Sequence, residues 1–166
     1  LKFSDPAELI PTDVLFLALP HGQAQHNIEK YAAVAEHIVD LSADFRLRDA
    51  DFYQQWYGEK HATPDWLDKF TYGLPELYRD KLKTAKYVSG VGCNATAVNL
   101  GLLPLVNAGL LDEQKPIIAE LKVGSSEGGA SVNPGSHHPE RSSTVRTYKA
   151  YGHRHTAEVI QESGLA

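Results

Sequence analysis

The 166-residue chain predicts an α/β fold built on a parallel sheet. Val14-Leu15-Phe16-Leu17-Ala18-Leu19 is a continuous apolar run closed by Pro20-His21-Gly22, a pattern that suits a strand buried on both faces. A helical stretch and a second short apolar run follow within about 30 residues, the length of one strand–helix–strand unit with a right-handed parallel crossover. Further along, Ser89-Gly90-Val91-Gly92 leads as extended, glycine-containing chain into the first turn of a helix at Cys93.

Residues 23–36 read as the crossover helix, with Ala24, Ile28, Tyr31, Ala32 and Ala35 at helical spacing. His37-Ile38-Val39-Asp40-Leu41 is the second strand. From Ser42 to Lys86 the periodicity weakens: Asp49 to Tyr57 looks helical, and Thr71-Tyr72-Gly73-Leu74-Pro75-Glu76 reads as a turn-rich surface loop. The aromatic residues here (Phe45, Phe52, Tyr53, Trp56, Tyr57, Trp66, Phe70, Tyr72) read as packing, because a base-stacking surface would need basic neighbours.

Residues 94–108 form the strongest helix, with Val98, Leu102, Leu105 and Val106 on one face, Gly109 at its end and Pro104 as a kink or break. Pro116 to Val123 reads as a strand. Gly124 to Ser143 is a long loop rich in Gly, Ser, Pro and His, of a length that points to function. Thr144 to Tyr148 reads as another strand. Thr156 to Glu162 starts a helix, with Thr156 as cap and Glu158 in the first turn.

Composition narrows the function. Hydrophobic residues make up 42% and charged residues 22%, ordinary for a globular protein. A net charge of −5 without a basic stripe excludes a general nucleic-acid binder. A single cysteine excludes an intrachain disulfide framework and suits a reducing compartment. No apolar run approaches the ~20 residues of a membrane span, and no leader pattern is read at the start, so the expected location is the cytoplasm. The chain opens on Leu1, contains no Met and stops at Ala166 with a helix under way, which reads as a piece of something longer.

Three groups can carry chemistry. A thiol at a helix N-terminus meets unpaired N–H groups and the positive end of the dipole, which favour the nucleophilic thiolate; the alternative for Cys93 is a small buried apolar residue. A nucleophilic thiol needs a proton acceptor, and His153 or His155 in Gly152-His153-Arg154-His155 can serve. In an extended segment both imidazoles share one face and Arg154 takes the other, suited to a phosphate or carboxylate, unless these are ordinary surface residues before a helix. The loop Gly124-Ser125-Ser126-Glu127-Gly128-Gly129-Ala130 could cradle phosphate through its N–H groups or be an ordinary flexible loop. Asp40-Leu41-Ser42-Ala43-Asp44-Phe45-Arg46-Leu47 leaves the second strand at its carboxyl end, where open parallel sheets gather ligands; the alternative is a surface Asp44–Arg46 pair of little worth. His137-His138-Pro139-Glu140-Arg141 does not have zinc-ligand spacing, and no metal is expected.

Taken together, Leu19-Pro20-His21-Gly22, Asp40 through Leu47, Tyr72-Gly73-Leu74-Pro75-Glu76, Gly92-Cys93-Asn94-Ala95-Thr96-Ala97 and Gly152-His153-Arg154-His155 resemble, in this order, the N-acetyl-γ-glutamyl-phosphate reductases of arginine biosynthesis. These are relatives of aspartate-semialdehyde dehydrogenase, and the likeness runs over essentially the whole chain. Gly-Cys-Asn-Ala-Thr in place of Pro-Gly-Cys-Tyr-Pro-Thr, and the His137-His138-Pro139-Glu140-Arg141 segment, look more like the branch that serves lysine biosynthesis on an amino-group carrier protein.

The resemblance implies part of a Rossmann-like parallel sheet over residues 1–87, the later part of an NADP-binding domain. Residues 88–166 would be the first part of an α+β catalytic and dimerisation domain of semialdehyde-dehydrogenase type. Family members open on a strand and a glycine-rich dinucleotide turn, which nothing here matches. The implied activity is NADPH-dependent reduction of an acyl phosphate to a semialdehyde through a thioester on Cys93, with His153 or His155 as acid and base and a slight preference for His153. Asn94, Arg154 and Arg46 would meet substrate; Pro20, His21, Ser125, Ser126 and Gly128 would line the cofactor path. The substrate would be an aminoadipyl or glutamyl phosphate on a small acidic carrier protein, or else the N-acetylated molecule, and the enzyme a homo-oligomer with neither nucleic-acid nor membrane partners. Two other classes compete: a Cys–His acyltransferase or hydrolase without redox cofactor, and an incomplete fragment acting only as a binding module.

Overall fold

The computed structural model describes residue 5 and residues 8–112, 114–129 and 131–165. Leu1 and Ala166, the two chain ends, and Ala130, the last residue of the glycine-rich loop, lie outside them. Two compact units are present: the first runs to Leu110 and resumes at Arg154, and the second is Leu111–His153.

The first unit is α/β. Strand β1 (Thr12–Leu17) is followed by α1 (Ile28–Val34), which passes directly into β2 (Ala35–Asp40). Helix α2 (Ala50–Tyr57), a 3₁₀ turn at Pro64–Lys69 and the short β3 (Phe70–Tyr72) follow. Helix α3 (Pro75–Leu82) and β4 (Tyr87–Ser89) lead to α4 (Cys93–Asn107). The four strands among the described residues are all parallel, in the order β1-β2-β4-β3, with Leu17 opposite Asp40 and both Asp40 and Tyr72 opposite Ser89.

Helix α2 forms where a helix was expected over Asp49 to Tyr57. The Asp49 side chain accepts the N–H of Phe52 at 2.6 Å and caps α2, while Gly58 ends it at φ +81°, a conformation that costs glycine nothing. The core beside the sheet gathers Leu17, Ile28, Ile38, Phe45, Leu67 and Phe70, with Phe45 and Phe70 stacked at 4.1 Å. Each such side chain contributes about 1.5–3 kcal/mol through burial.

Several readings are corrected. Leu15 and Leu17 reach the core, but Val14 and Phe16, on the opposite face, are 46% and 64% exposed, so β1 is an edge strand buried on one face. The helix expected over 23–36 is only Ile28–Val34, because turns occupy the residues before it. Residues 70–72 form β3, with Phe70 and Tyr72 buried, where a surface loop was expected. Helix α4 continues through Pro104.

The second unit contains a 3₁₀ turn at Ser125–Gly128 and a single turn, α5 (His138–Arg141). Residues 116–123 and 144–148 are not strands; no partner strand among the described residues offers them a ladder, and isolated extended segments do not hold. Helix α6 (His155–Ser163) is capped by Arg154 rather than Thr156, and packs against α4 in the first unit. No helix among the described residues is long and apolar enough to cross a membrane.

Asp44 anchors the loop after β1. Its buried carboxylate accepts the N–H groups of Gly22 at 2.7 Å and Gln25 at 3.0 Å, and meets His21 Nδ1 at 2.9 Å. Burial alone would raise its pKa, but His21 and these N–H bonds outweigh burial and lower it. A lowered folded-state pKa gives stability that is present above the unfolded value, about 3.9, and lost as the pH falls through the folded one. Asp44→Asn is therefore expected to cost about 2 kcal/mol at pH 7, with the gap to wild type closing below about pH 4 in thermal melts. An equal loss at pH 3 and pH 7 would contradict the assignment.

Candidate functional site

Because the four strands are parallel, their carboxyl ends lie along one sheet edge, where the loops Pro20–Gly22, Ser42–Arg46, Gly73–Leu74 and Gly90–Gly92 emerge. The chain stays tight at this edge. Gly90 donates its N–H to the Asp40 carbonyl at 2.6 Å, and Gly73 to that of Ser89 at 2.9 Å. A Cβ on Gly73 would sit 2.7 Å from the Ser89 carbonyl oxygen, so only glycine fits there. Asp40 turns back on Ser42, accepting its hydroxyl at 2.7 Å, and burial pushes the Asp40 pKa up.

Cys93 is the first residue of α4 and is exposed. Its cap residue, Gly92, brings no capping side chain. Asn94, the second helical residue, is half-buried beside it. The Gly92 N–H donates to Glu158 Oε2 at 2.9 Å. A Cβ on Gly92 would lie 2.5 Å from Glu158 Oε1 and 2.7 Å from His155 Nε2. The imidazole of His155 is therefore packed against the backbone immediately before Cys93.

Glu158 organises this corner. Fully buried, it also accepts the Tyr72 hydroxyl at 2.7 Å and faces Arg46 Nη1 at 3.4 Å. Burial first, and then the Glu158 carboxylate, raise the Tyr72 pKa far above the phenol range. Arg46, expected at the substrate, is engaged on three sides: Nε to the Gly90 carbonyl at 2.7 Å, Nη1 to Glu158, and Nη2 to the Leu41 carbonyl at 3.3 Å. Two residues on, Arg48 pairs with Glu162 and the Tyr78 hydroxyl. These contacts seat α6 where His155 meets α4.

In the sequence Glu158 reads only as a first-turn helix residue and Tyr72 only as part of the Tyr72–Glu76 segment, and neither points to this corner. A carboxylate in a first helical turn reads as a solvated charge favoured by the dipole; the one available signal is its three-residue spacing from His155, which puts the two on one helix face. Arg154 is exposed, with its guanidinium 5.5 Å from the Tyr57 ring centroid, and that ring lies 4.5 Å from the His21 imidazole.

The other expected residues lie in the second unit. His153 closes it, its ring edge-on to Tyr148 at 5.9 Å. Ser125, Ser126 and Gly128 form its 3₁₀ turn beside a surface depression shared with Ser136, His137 and His138. A Cβ on Gly128 would meet Ser136 at 2.7 Å, so glycine is required for this packing. Within the turn Glu127 donates its N–H to the Gly124 carbonyl and Gly129 to that of Ser126, each at 3.2 Å. In the Pro20–Gly22 loop, Asp44 takes the N–H groups of Gly22 and Gln25 and meets His21 Nδ1, and the Pro20 carbonyl accepts the N–H of Gln23 at 3.2 Å. No group of three or more His, Cys, Asp or Glu side chains among the described residues could hold a metal ion.

Two family models match the chain. Residues 1–85 match the semialdehyde dehydrogenase NAD-binding domain, and residues 93–166 match the semialdehyde dehydrogenase dimerisation domain. A protein of Thermomicrobium roseum, provisionally named a LysW-L-2-aminoadipate 6-phosphate reductase, is 51% identical over 98% of this chain and 46% of its own length. One of Saccharolobus solfataricus, named a LysW-L-2-aminoadipate/LysW-L-glutamate phosphate reductase, is 51% identical over 97% of this chain and 44% of its own. One of Deinococcus radiodurans, named a LysW-L-2-aminoadipate 6-phosphate reductase, is 50% identical over 98% and 46%. The chain thus spans about half the length of the curated relatives it matches.

Proposed function

The chain belongs to the semialdehyde dehydrogenase family, and from that premise we propose that the whole protein reduces an acyl phosphate to a semialdehyde through a thioester on Cys93, using NADPH. The observation that carries the reading is the meeting of two helix starts: the exposed thiol of Cys93 on α4, and His155 of α6 packed against Gly92. His155 is assigned as the base because it belongs to the same unit as Cys93, whereas His153 closes the other.

In this reading His155 takes the thiol proton and Cys93 Sγ attacks the acyl carbon. The bond from that carbon to the phosphate oxygen breaks, phosphate leaves with the electron pair, and the acyl group stays on sulfur. N–H groups at the start of α4 steady the oxyanion; one such donor is typically worth about 2.7–4 kcal/mol. The bound dinucleotide supplies hydride to the acyl carbon. Collapse of the resulting alkoxide expels the Cys93 thiolate and frees the semialdehyde, and His155 returns its proton to sulfur. Splitting one hard step into two easier ones is what the covalent route achieves. Asn94 and Arg154 flank the substrate, and Arg46 acts by fixing Gly90 and Glu158. In the first unit, Pro20 and His21 would line the cofactor path.

The substrate is assigned as an aminoadipyl or glutamyl phosphate carried on a small acidic carrier protein. The names of relatives near 50% identity support this over the N-acetylated molecule. The two family-model matches favour residues 1–87 as the later part of the dinucleotide domain and 88–166 as the first part of the catalytic domain. A cytoplasmic homo-oligomer completes the reading.

The test is the reverse reaction in the whole protein. NADP reduction should require both inorganic phosphate and a carrier-bound semialdehyde, and His155→Asn should lower kcat by ~10²–10⁴-fold while His153→Asn does much less. A rate independent of phosphate, a preference for the N-acetylated semialdehyde, or a larger loss at His153 would each overturn the corresponding assignment.

A further inference from the structure

The hydroxyl of Tyr57 is buried and has no hydrogen-bond partner among the described residues. That is unusual, because buried hydroxyls are paired as a rule. The ring itself is firmly seated at the end of α2. It stacks on Tyr53 at 4.6 Å and 17°, lies tilted against the His21 imidazole at 4.5 Å, and has the Arg154 guanidinium 5.5 Å from its centroid. It also packs against the buried cluster of Leu47, Tyr53 and Ala157.

Burial lifts its pKa to about 12, so the group is a neutral donor at physiological pH; the carboxylates of Glu158 and Asp44 and the cations Arg46 and Arg154 also act on it. Glu158 already accepts from Tyr72 and Gly92 and pairs with Arg46. Arg46 is spent on Gly90, Leu41 and Glu158. What remains is an O–H with no acceptor among the described residues, on a ring that carries an exposed guanidinium over its face. Those two groups together match the oxygen atoms of a phosphate, which accept from both.

We propose that the Tyr57 hydroxyl, together with Arg154, binds the phosphate group that leaves the acyl carbon, making Tyr57 a substrate-positioning residue. The inference rests on the acyl-phosphate reading above. It explains why an unpaired buried hydroxyl is kept where phenylalanine would pack as well: the partner arrives with the substrate.

Tyr57→Phe in the whole protein separates this from a structural role, because it keeps every ring contact and removes only the unpaired O–H. The variant should melt at the wild-type temperature or above it. Its KM for inorganic phosphate in the reverse reaction should rise by about 10- to 100-fold, with the Kd for NADPH unchanged. An unchanged phosphate KM overturns the proposal. So does a raised Kd for NADPH, which would give the hydroxyl to a phosphate of the dinucleotide, and so does a fall of several degrees in Tm, which would give it a partner within the fold. Wild-type protein without phosphate-dependent activity would instead remove the acyl-phosphate reading itself, and this inference with it.

Discussion

Cys93→Ser is expected to lower turnover of the whole protein by ~10⁴-fold while leaving its dinucleotide affinity intact. The substitution changes one atom at the exposed first residue of α4, so packing and backbone are conserved. What changes is acidity. A cysteine thiol loses its proton far more readily than a serine hydroxyl, and the thiolate is the stronger nucleophile. Serine is also the poorer leaving group when the alkoxide collapses. Steady-state rates with fluorescence titration of NADPH check both halves. Residual turnover within about tenfold of wild type would remove Cys93 from covalent catalysis.

The second large effect falls on a residue whose sequence context looks ordinary. Glu158→Ala removes the acceptor shared by Gly92, Tyr72 and Arg46 and leaves Arg46 as a nearly buried cation without its carboxylate. Breaking one side of a buried pair costs about 3–5 kcal/mol, which corresponds to roughly 10 °C or more in Tm for a unit of this size. Glu158→Gln keeps the volume and one acceptor oxygen but turns an amide N–H₂ toward a donor, so an intermediate loss is expected. Both variants should also lower kcat, because Gly92 loses the bond that fixes the chain just before Cys93. A melt of either variant within about 2 °C of wild type would mean that Glu158 does not organise this corner.

Much of this architecture is legible in the residues themselves. The apolar run at Val14–Leu19, the helical stretch from Asp49 to Tyr57 and the glycine approach to Cys93 are local signals, and β1 overlaps the first while α2 and α4 form at the other two. Boundaries set by a partner are harder to read. Strand β1 begins at Thr12 because Thr12 pairs with Ala35, which no pattern in β1 announces. Strand β3 is three residues long, too short for a period to show, and the Gly73-Leu74-Pro75 segment beside it dominates the reading as a turn. Residues 116–123 carry a genuine β pattern, yet pattern without a partner strand does not make a sheet.

The candidate site divides the same way. The identity of Cys93, and the expectation that a histidine near residue 153 serves it, follow from chemistry and spacing. The choice of His155 comes only from the fold, because the start of α6 seats that ring against Gly92. Arg46 was expected to reach a ligand by its place after a strand, and instead ties three segments together. Glu158 is invisible in one dimension because its three partners lie 66 to 112 positions away along the chain.

The central claim is the acyl-enzyme at Cys93, and it can be observed directly. Whole protein mixed with carrier-bound acyl phosphate in the absence of dinucleotide should release phosphate once per active site. Peptide mapping by mass spectrometry should then find the acyl mass on the peptide containing Cys93, and the adduct should disappear when NADPH is added. A protein that turns over normally yet shows no adduct, or carries it on another residue, would contradict the account.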